Sequence, residues 1–88
     1  MIQTMRFGET RRVRITVYNI KNEPFEIVNA SFVLSDSSGI VIDRGAAGTI
    51  DHTIEVLITP PARGDYTLEY SFQLGIEQRV VTVEVRCI

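Results

Sequence analysis

Alternation of apolar and polar residues constrains the fold of this chain more than any other feature. In "RRVRITVY", the apolar side chains of Val13, Ile15 and Val17 alternate with polar ones. Similar runs follow at residues 28–35 and 53–59. A period of two, rich in β-branched residues, is typical of strands that bury one face and expose the other. No window carries the 3.6-residue period of an amphipathic helix, so we predict an all-β fold.

Turn-forming residues separate these runs. Gly, Pro, Asn and Asp cluster at 19–24, 36–39, 44–49 and 60–65. Between them the pattern predicts strands at 10–18, 27–35, 40–44, 53–59, 65–74 and 77–87, with a short one at 2–6. Turns at this spacing predict one domain, residues 1–88, folded as an antiparallel β-sandwich of about seven strands.

The phase of the alternation predicts which side chains face the core. We expect one phase from Arg12 through Val85, with Val28 on the inward face of its strand. Phe7 and Phe25 flank strands, where we expect them to close the ends of the sandwich. The predicted core is Val13, Ile15, Val17, Ala30, Phe32, Leu34, Ile54, Val56, Tyr66, Leu68, Tyr70, Val81, Val83 and Val85.

The last two predicted strands define a hairpin register. Glycine is favoured first in a type II′ turn, which places Gly75 and Ile76 at the tip. A one-residue slip would set core residues against solvent-facing ones. The predicted pairs are Tyr70 with Val81, Leu68 with Val83 and Tyr66 with Val85, and on the other face Glu69 with Thr82 and Thr67 with Glu84.

The tripeptide Arg63-Gly64-Asp65 has two interpretations, an integrin-type adhesion signal or a turn. Asp65 runs directly into Tyr66, the first core-facing residue of the hairpin, whereas adhesion signals lie at exposed loop tips. Gly64 and Asp65 are both turn formers, so we favour the turn. The Gly-Asp-Tyr sequence also resembles the tyrosine corner of immunoglobulin-like sandwiches, in which the phenol bonds to backbone a few residues upstream. We therefore assign Tyr66 a structural role.

Reactive residues are few and scattered, so we predict neither an enzyme nor a catalytic, cofactor-binding or metal site. His52 is the only histidine and Cys87 the only cysteine, and nothing in the sequence brings the two together. The segment 36–39, "DSSG", lacks the spaced oxygen ligands of a calcium loop. Asn29-Ala30-Ser31 matches the N-glycosylation pattern but lies inside a predicted strand, so we interpret the match as coincidence.

The charged residues do not point to nucleic acid or membrane. The formal net charge is −2 and the basic residues are scattered, so no positive stripe for phosphates is expected. The N-terminal segment has no signal-peptide pattern, so we expect synthesis in the cytoplasm without secretion. Three interpretations of the outward-facing charges stay open, of which we favour an ordinary solvated face. The other two involve pairing or assembly. Arg12 and Arg14 pair with Glu69 and Glu84 if their strands are neighbours, and otherwise form opposite patches suited to self-assembly.

The order of several stretches resembles a known family. "GETRRVRITVYN" is followed by "NEPFEIVNASFVLSD", "GIVIDRGAAGT", "PPARGDYTLEYSF" and "RVVTVEV". This order is similar to that of the small immunoglobulin-like domain at the N-terminus of upper baseplate proteins in tailed phages of Gram-positive bacteria. The chain departs from the family at residues 26–30, "EIVNA", where the family tends to have an Asp-Leu-(Thr/Ser)-Gly-Ala-like turn. The resemblance implies an immunoglobulin-like sandwich acting as a structural module of a phage tail or baseplate.

The expected partners are therefore other protein subunits, either virion proteins or further copies of this chain. We expect a homo-oligomer, with the first strand and the C-terminal strand as sheet edges and with Cys87 and Ile88 at a contact. An alternative function is that of a bacterial cell-surface adhesion or carbohydrate-binding module. That function predicts exposed aromatic residues, for which Tyr18 is the candidate outside the core.

Overall fold

The computed structural model describes residues 2–18 and 25–88, and all regular elements in these ranges are strands. No helix that could span a membrane occurs among them. The strands are β1 (Ile2–Met5), β2 (Arg11–Thr16), β3 (Ile27–Asp36), β4 (Val41–Ala46), β5 (Gly48–Ile50), β6 (Thr53–Ile58), β7 (Gly64–Leu74) and β8 (Glu77–Cys87).

The strands form two sheets. One has five strands in the order β1-β8-β7-β3-β4, and the other has three in the order β2-β6-β5. In an immunoglobulin-type sandwich, strands B, E and D share one sheet and C, F and G the other, with C′ beside C in variable-type domains. The strands from β2 to β8 follow this order as B, C, C′, D, E, F and G. The chain is therefore an immunoglobulin-like β-sandwich, with its first strand placed parallel to its last.

The β7–β8 hairpin has the predicted register. Tyr66 lies opposite Val85, Leu68 opposite Val83 and Tyr70 opposite Val81, and the polar pairs of the other face also match. At the tip Gly75 has a φ of +62°, as the first position of a type II′ turn requires. Because both strands alternate in phase, local pattern and turn chemistry were enough to specify this register.

The core lies between the sheets and contains most of the predicted residues. Val81 is the clear error, since it is 36% exposed, and Ala30 is only partly buried. Val81 and Val83 both face the three-stranded sheet, but Val83 is buried and Val81 is not. The smaller sheet covers the start of β8 less well. The buried hydrophobic residues absent from the predicted list are Met5, Ile27, Ile58, Phe72 and Cys87.

A bulge in β3 breaks the expected single phase. The pairing of β3 with β7 shifts between Val28 and Ser31, and Asn29 has a φ of +54°. An extra residue in one strand reverses which side chains face inward on its far side. As a result Ile27 is buried, whereas Val28, predicted to face inward, is exposed.

The predicted turns have different outcomes. At 36–39 the Asp36 carboxylate accepts hydrogen bonds from the amides of Ser38 and Ile40, which confirms a turn. The predicted turn at 44–49 is wrong. Its residues belong to β4 and β5, and Ala47 alone separates these strands where the chain crosses between the sheets. The predicted turn at 19–24 lies outside the described residues.

Candidate interaction surfaces

The Arg63-Gly64-Asp65 segment starts β7 and does not project as a free loop tip. Gly64 has a φ of +144°, which side-chain-bearing residues rarely adopt. Asp65 pairs in the sheet with Arg86, and the guanidinium Nε of Arg86 lies 3.3 Å from its carboxylate. The guanidinium of Arg63 lies 5.0 Å from the centre of the Phe7 ring, within cation–π range. Both charged side chains of the tripeptide thus have partners within the domain.

Two tyrosine hydroxyls secure the connections between the sheets. Tyr66 Oη donates to the carbonyl of Ala62 at 2.8 Å, which is the hydrogen bond that a tyrosine corner requires. Tyr70 Oη donates to the carbonyl of Val13 at 2.7 Å and so joins the two sheets through the core. Burial raises the pKa of Tyr70 to about 12, because the buried phenolate would lose its hydration.

The only histidine and the only cysteine lie at opposite ends of the sandwich. His52 precedes β6, and its ring stacks on Phe25 with the ring centres 3.9 Å apart. Cys87 lies opposite Gly64, beyond the other end of β6, and its thiol is buried. Phe25 packs against the core as predicted for an end of the sandwich, whereas Phe7 is 45% exposed.

Acidic and cysteine or histidine side chains do not cluster in the described parts of the chain. Within residues 2–18 and 25–88, no three His, Cys, Asp or Glu side chains lie close enough together to hold a metal ion. In these parts of the chain, the buried thiol of Cys87 and the stacked imidazole of His52 do not meet with a carboxylate at any one site.

The two outward-facing arginines of β2 share one carboxylate partner within their own sheet. Arg14 Nε lies 3.0 Å from the Glu55 carboxylate, and Arg12 Nε lies 3.8 Å from it. The considered pairing of these arginines with Glu69 and Glu84 is wrong, because β7 and β8 belong to the other sheet. The sequence could not show this, since the alternation gives the face of a residue but not its neighbouring strand.

Two shallow clefts open on the surface. One, of about 220 Å³, includes Ile2, Tyr66 and Glu84. The other, of about 320 Å³, includes Phe32 and Leu57 beside the point where β4 ends and β5 begins. Pockets that bind small molecules typically enclose about 300–1,000 Å³ and surround most of the ligand. Neither cleft brings His52 or Cys87 into its lining.

Exposed apolar side chains lie at two strand edges, where a single domain has no use for them. β4 is an edge strand, and Ile40, Val41 and Ile42 at its start are all exposed. At the other side, Ile76 is fully exposed at the hairpin tip and Val80 is 56% exposed. The sequence did carry a signal for both, since "IVI" and "VV" interrupt strict alternation and leave apolar side chains on both faces.

The predicted edges are half correct. β1 is an edge of the five-stranded sheet, but β8 lies between β1 and β7. Cys87 is consequently buried and not at a contact surface, while Ile88 is exposed and its amide bonds to Met5. Among the described strands, none lies beside the first half of β8 on the side away from β7, because β1 pairs only with Glu84–Cys87.

Comparison of the chain with models of protein families, with curated proteins and with solved structures gave no match. The strand order and the tyrosine corner therefore carry the immunoglobulin-like classification by themselves.

Proposed function

We propose that this chain is a non-enzymatic structural module of a phage or prophage particle, in which it contributes protein–protein contacts to a tail or baseplate. The observation that carries the proposal is the apolar surface at two separate strand edges, at the start of β4 and along the first half of β8. Unpaired strand edges with apolar side chains are templates for pairing with another chain.

The placement of the reactive side chains supports a binding role over an enzymatic one. The Cys87 thiol is buried among apolar residues, and the His52 ring is stacked on Phe25 at the other end of the sandwich. Nucleophilic catalysis needs a nucleophile and a base within hydrogen-bonding reach. The order of sequence motifs that resembles upper baseplate proteins supports the assignment to a phage particle.

Co-purification with the products of adjacent genes tests this function. We expect the tagged chain to form a complex with a tail or baseplate protein that survives size-exclusion chromatography. Replacing both Ile40 and Ile42 with Lys should weaken capture, because charge on an edge strand opposes pairing. The control is Glu26→Lys, which changes charge at an exposed residue outside the strands.

Two outcomes would contradict the proposal. Capture of none of the adjacent tail proteins would count against the particle assignment. Specific binding on a glycan array would favour the adhesion alternative instead, and Tyr18, which is 79% exposed, would then be the first residue to replace.

A further inference from the structure

We infer that the free edge of β8, residues 77–83, pairs with the same edge of a second copy of this chain. The inference deepens the proposed function by naming one partner, and it rests on that function only in assuming that the chain acts through protein contacts. β7 covers one side of the whole of β8, whereas β1 covers the other side only at Glu84–Cys87. On the side away from β7, seven residues therefore have no described strand beside them.

The hairpin geometry determines which backbone groups face outward. Leu74 and Glu77 close a two-residue loop, and in such hairpins the closing pair is hydrogen-bonded. Hydrogen-bonded pairs alternate along an antiparallel ladder, so Arg79, Val81 and Val83 direct their N–H and C=O groups to β7. The backbone groups of Gln78, Val80 and Thr82 point to the open side.

One register uses all of these outward groups. Under a two-fold axis perpendicular to the sheet, Val80 faces Val80 of the second copy, and Gln78 faces its Thr82. The two-fold axis repeats the Gln78–Thr82 pair, which gives three pairs in all. Each pair exchanges two backbone hydrogen bonds. Moving the register by two residues in one direction places Arg79 opposite Arg79, and in the other direction shortens the ladder. The strand is thus self-complementary about Val80.

The side chains of this edge are compatible with such pairing. Gln78, Val80 and Thr82 are uncharged, and the Arg79 guanidinium is already neutralised by Glu77 at 2.8 Å. In the paired register Arg79 lies opposite Val81, which would cover the predicted core valine that the single domain leaves 36% exposed. In this register Ile76 at the hairpin tip falls at Glu84 of the second copy, where that copy's β1 begins at Ile2, so the tip meets the end of β1 there.

The other long edges carry features that oppose self-pairing. β4 has a bulge at its start and charged Asp43 and Arg44 at its centre. β2 exposes Arg12 and Arg14, which share the single carboxylate of Glu55 and so leave excess positive charge to face its own copy about a central axis. Bulges and charges are the means by which natural sheets protect their edges. Among the described edge segments longer than four residues, only that of β8 has neither a bulge nor an excess of charge of one sign.

The first experiment measures mass in solution and uses proline as a probe. We expect wild-type protein to give twice its 9.9 kDa monomer mass in light scattering at high concentration. Val80→Pro should be monomeric yet folded, because the amide it removes points away from β7. Val80→Lys should also be monomeric, since two lysines would face each other, and Ile42→Lys is the control that should remain dimeric.

The second experiment locates the contact by cross-linking. Residues in a hydrogen-bonded antiparallel pair have Cα atoms about 5.5 Å apart, which suits a disulfide. Val80→Cys should therefore oxidise to a dimer at least about ten-fold faster than Ile42→Cys, because pairing raises the effective thiol concentration. The native Cys87 is buried, so it should contribute little background.

The outcomes separate this inference from the proposed function. A wild-type monomer at millimolar concentration, or a dimer that persists in Val80→Lys and is lost in Ile42→Lys, would overturn the β8 contact. A wild-type monomer that still captures tail proteins would overturn the dimer alone. A dimer that captures none would leave the β8 contact standing and remove the proposed particle role.

Discussion

At the scale of single residues, the turn before β7 shows how local chemistry decides between two interpretations of one tripeptide. Gly64 supplies a backbone conformation that other residues avoid, and Asp65 enters the sheet opposite Arg86. The next residue, Tyr66, bonds back to Ala62. The sequence predicted this corner because all of its parts lie within five consecutive residues.

Replacing Tyr66 with Phe tests the corner hydrogen bond. The substitution removes the only donor to this bond and keeps the ring, so we expect a loss of about 1–2 kcal/mol in unfolding free energy. Urea denaturation measures the loss. Tyr18→Phe, at an exposed position, is the control and should change nothing, and equal stability of both variants would show that the bond contributes little.

Replacing Gly64 with Ala tests the turn itself. A Cβ at this position would meet no atom within 4 Å, so the cost comes from φ alone. We expect a loss of about 1–3 kcal/mol, the usual range for a strained backbone position. Gly48→Ala is the matched control, since Gly48 is not at positive φ and its Cβ would make ordinary contact with Glu55. Similar denaturation midpoints for both variants would contradict this account.

At the scale of elements, the hairpin and β3 show the reach and the limit of pattern reasoning. The β7–β8 register followed from two alternations in phase and a glycine at the tip. In β3 the sequence pattern continues through Asn29 without a break, but the chain forms a bulge there. As a result Ile27, and not Val28, faces the core. Asparagine adopts positive φ more readily than most residues, which is the only local hint of the bulge.

Two valines on the same face of β8 test how far the core extends. Val83 is fully buried and Val81 is 36% exposed, although both face inward. Val83→Ala should therefore cost about 2–3 kcal/mol, and Val81→Ala less than about 1 kcal/mol at concentrations where the protein is monomeric. Thermal denaturation of dilute samples measures both. Equal losses would mean that the smaller sheet covers both positions.

At the scale of the whole molecule, Tyr70 connects the two sheets and makes stability depend on pH. Its side chain is fully buried and its hydroxyl donates to Val13 in the opposite sheet. Burial holds its pKa at about 12, above the value of 10.0 for a free tyrosine. The unfolded chain therefore ionises first as pH rises.

The sign of the effect follows from this difference. The contribution of Tyr70 to the free energy of unfolding has its full value below pH 10. It falls by about 1.4 kcal/mol per pH unit above pH 10 and levels off near pH 12. Urea denaturation between pH 9 and about 11.5 should show this decline. Tyr70→Phe should be less stable at neutral pH, because it leaves the Val13 carbonyl without its donor, but should show a shallower decline. An unchanged slope in that variant would mean that other groups cause the pH dependence.

The sequence by itself determined the strands other than β5, the hairpin register and the corner at Tyr66, because each depends on residues that are neighbours along the chain or across one tight turn. Only the tertiary structure decided that Arg14 meets Glu55 and that Val81 lies beyond the cover of the opposite sheet. It also decided that no described strand lies beside the first half of β8 on the side away from β7. Alternation specifies the face of a side chain, whereas burial and pairing depend on which strand lies beside it and how far the opposite sheet extends.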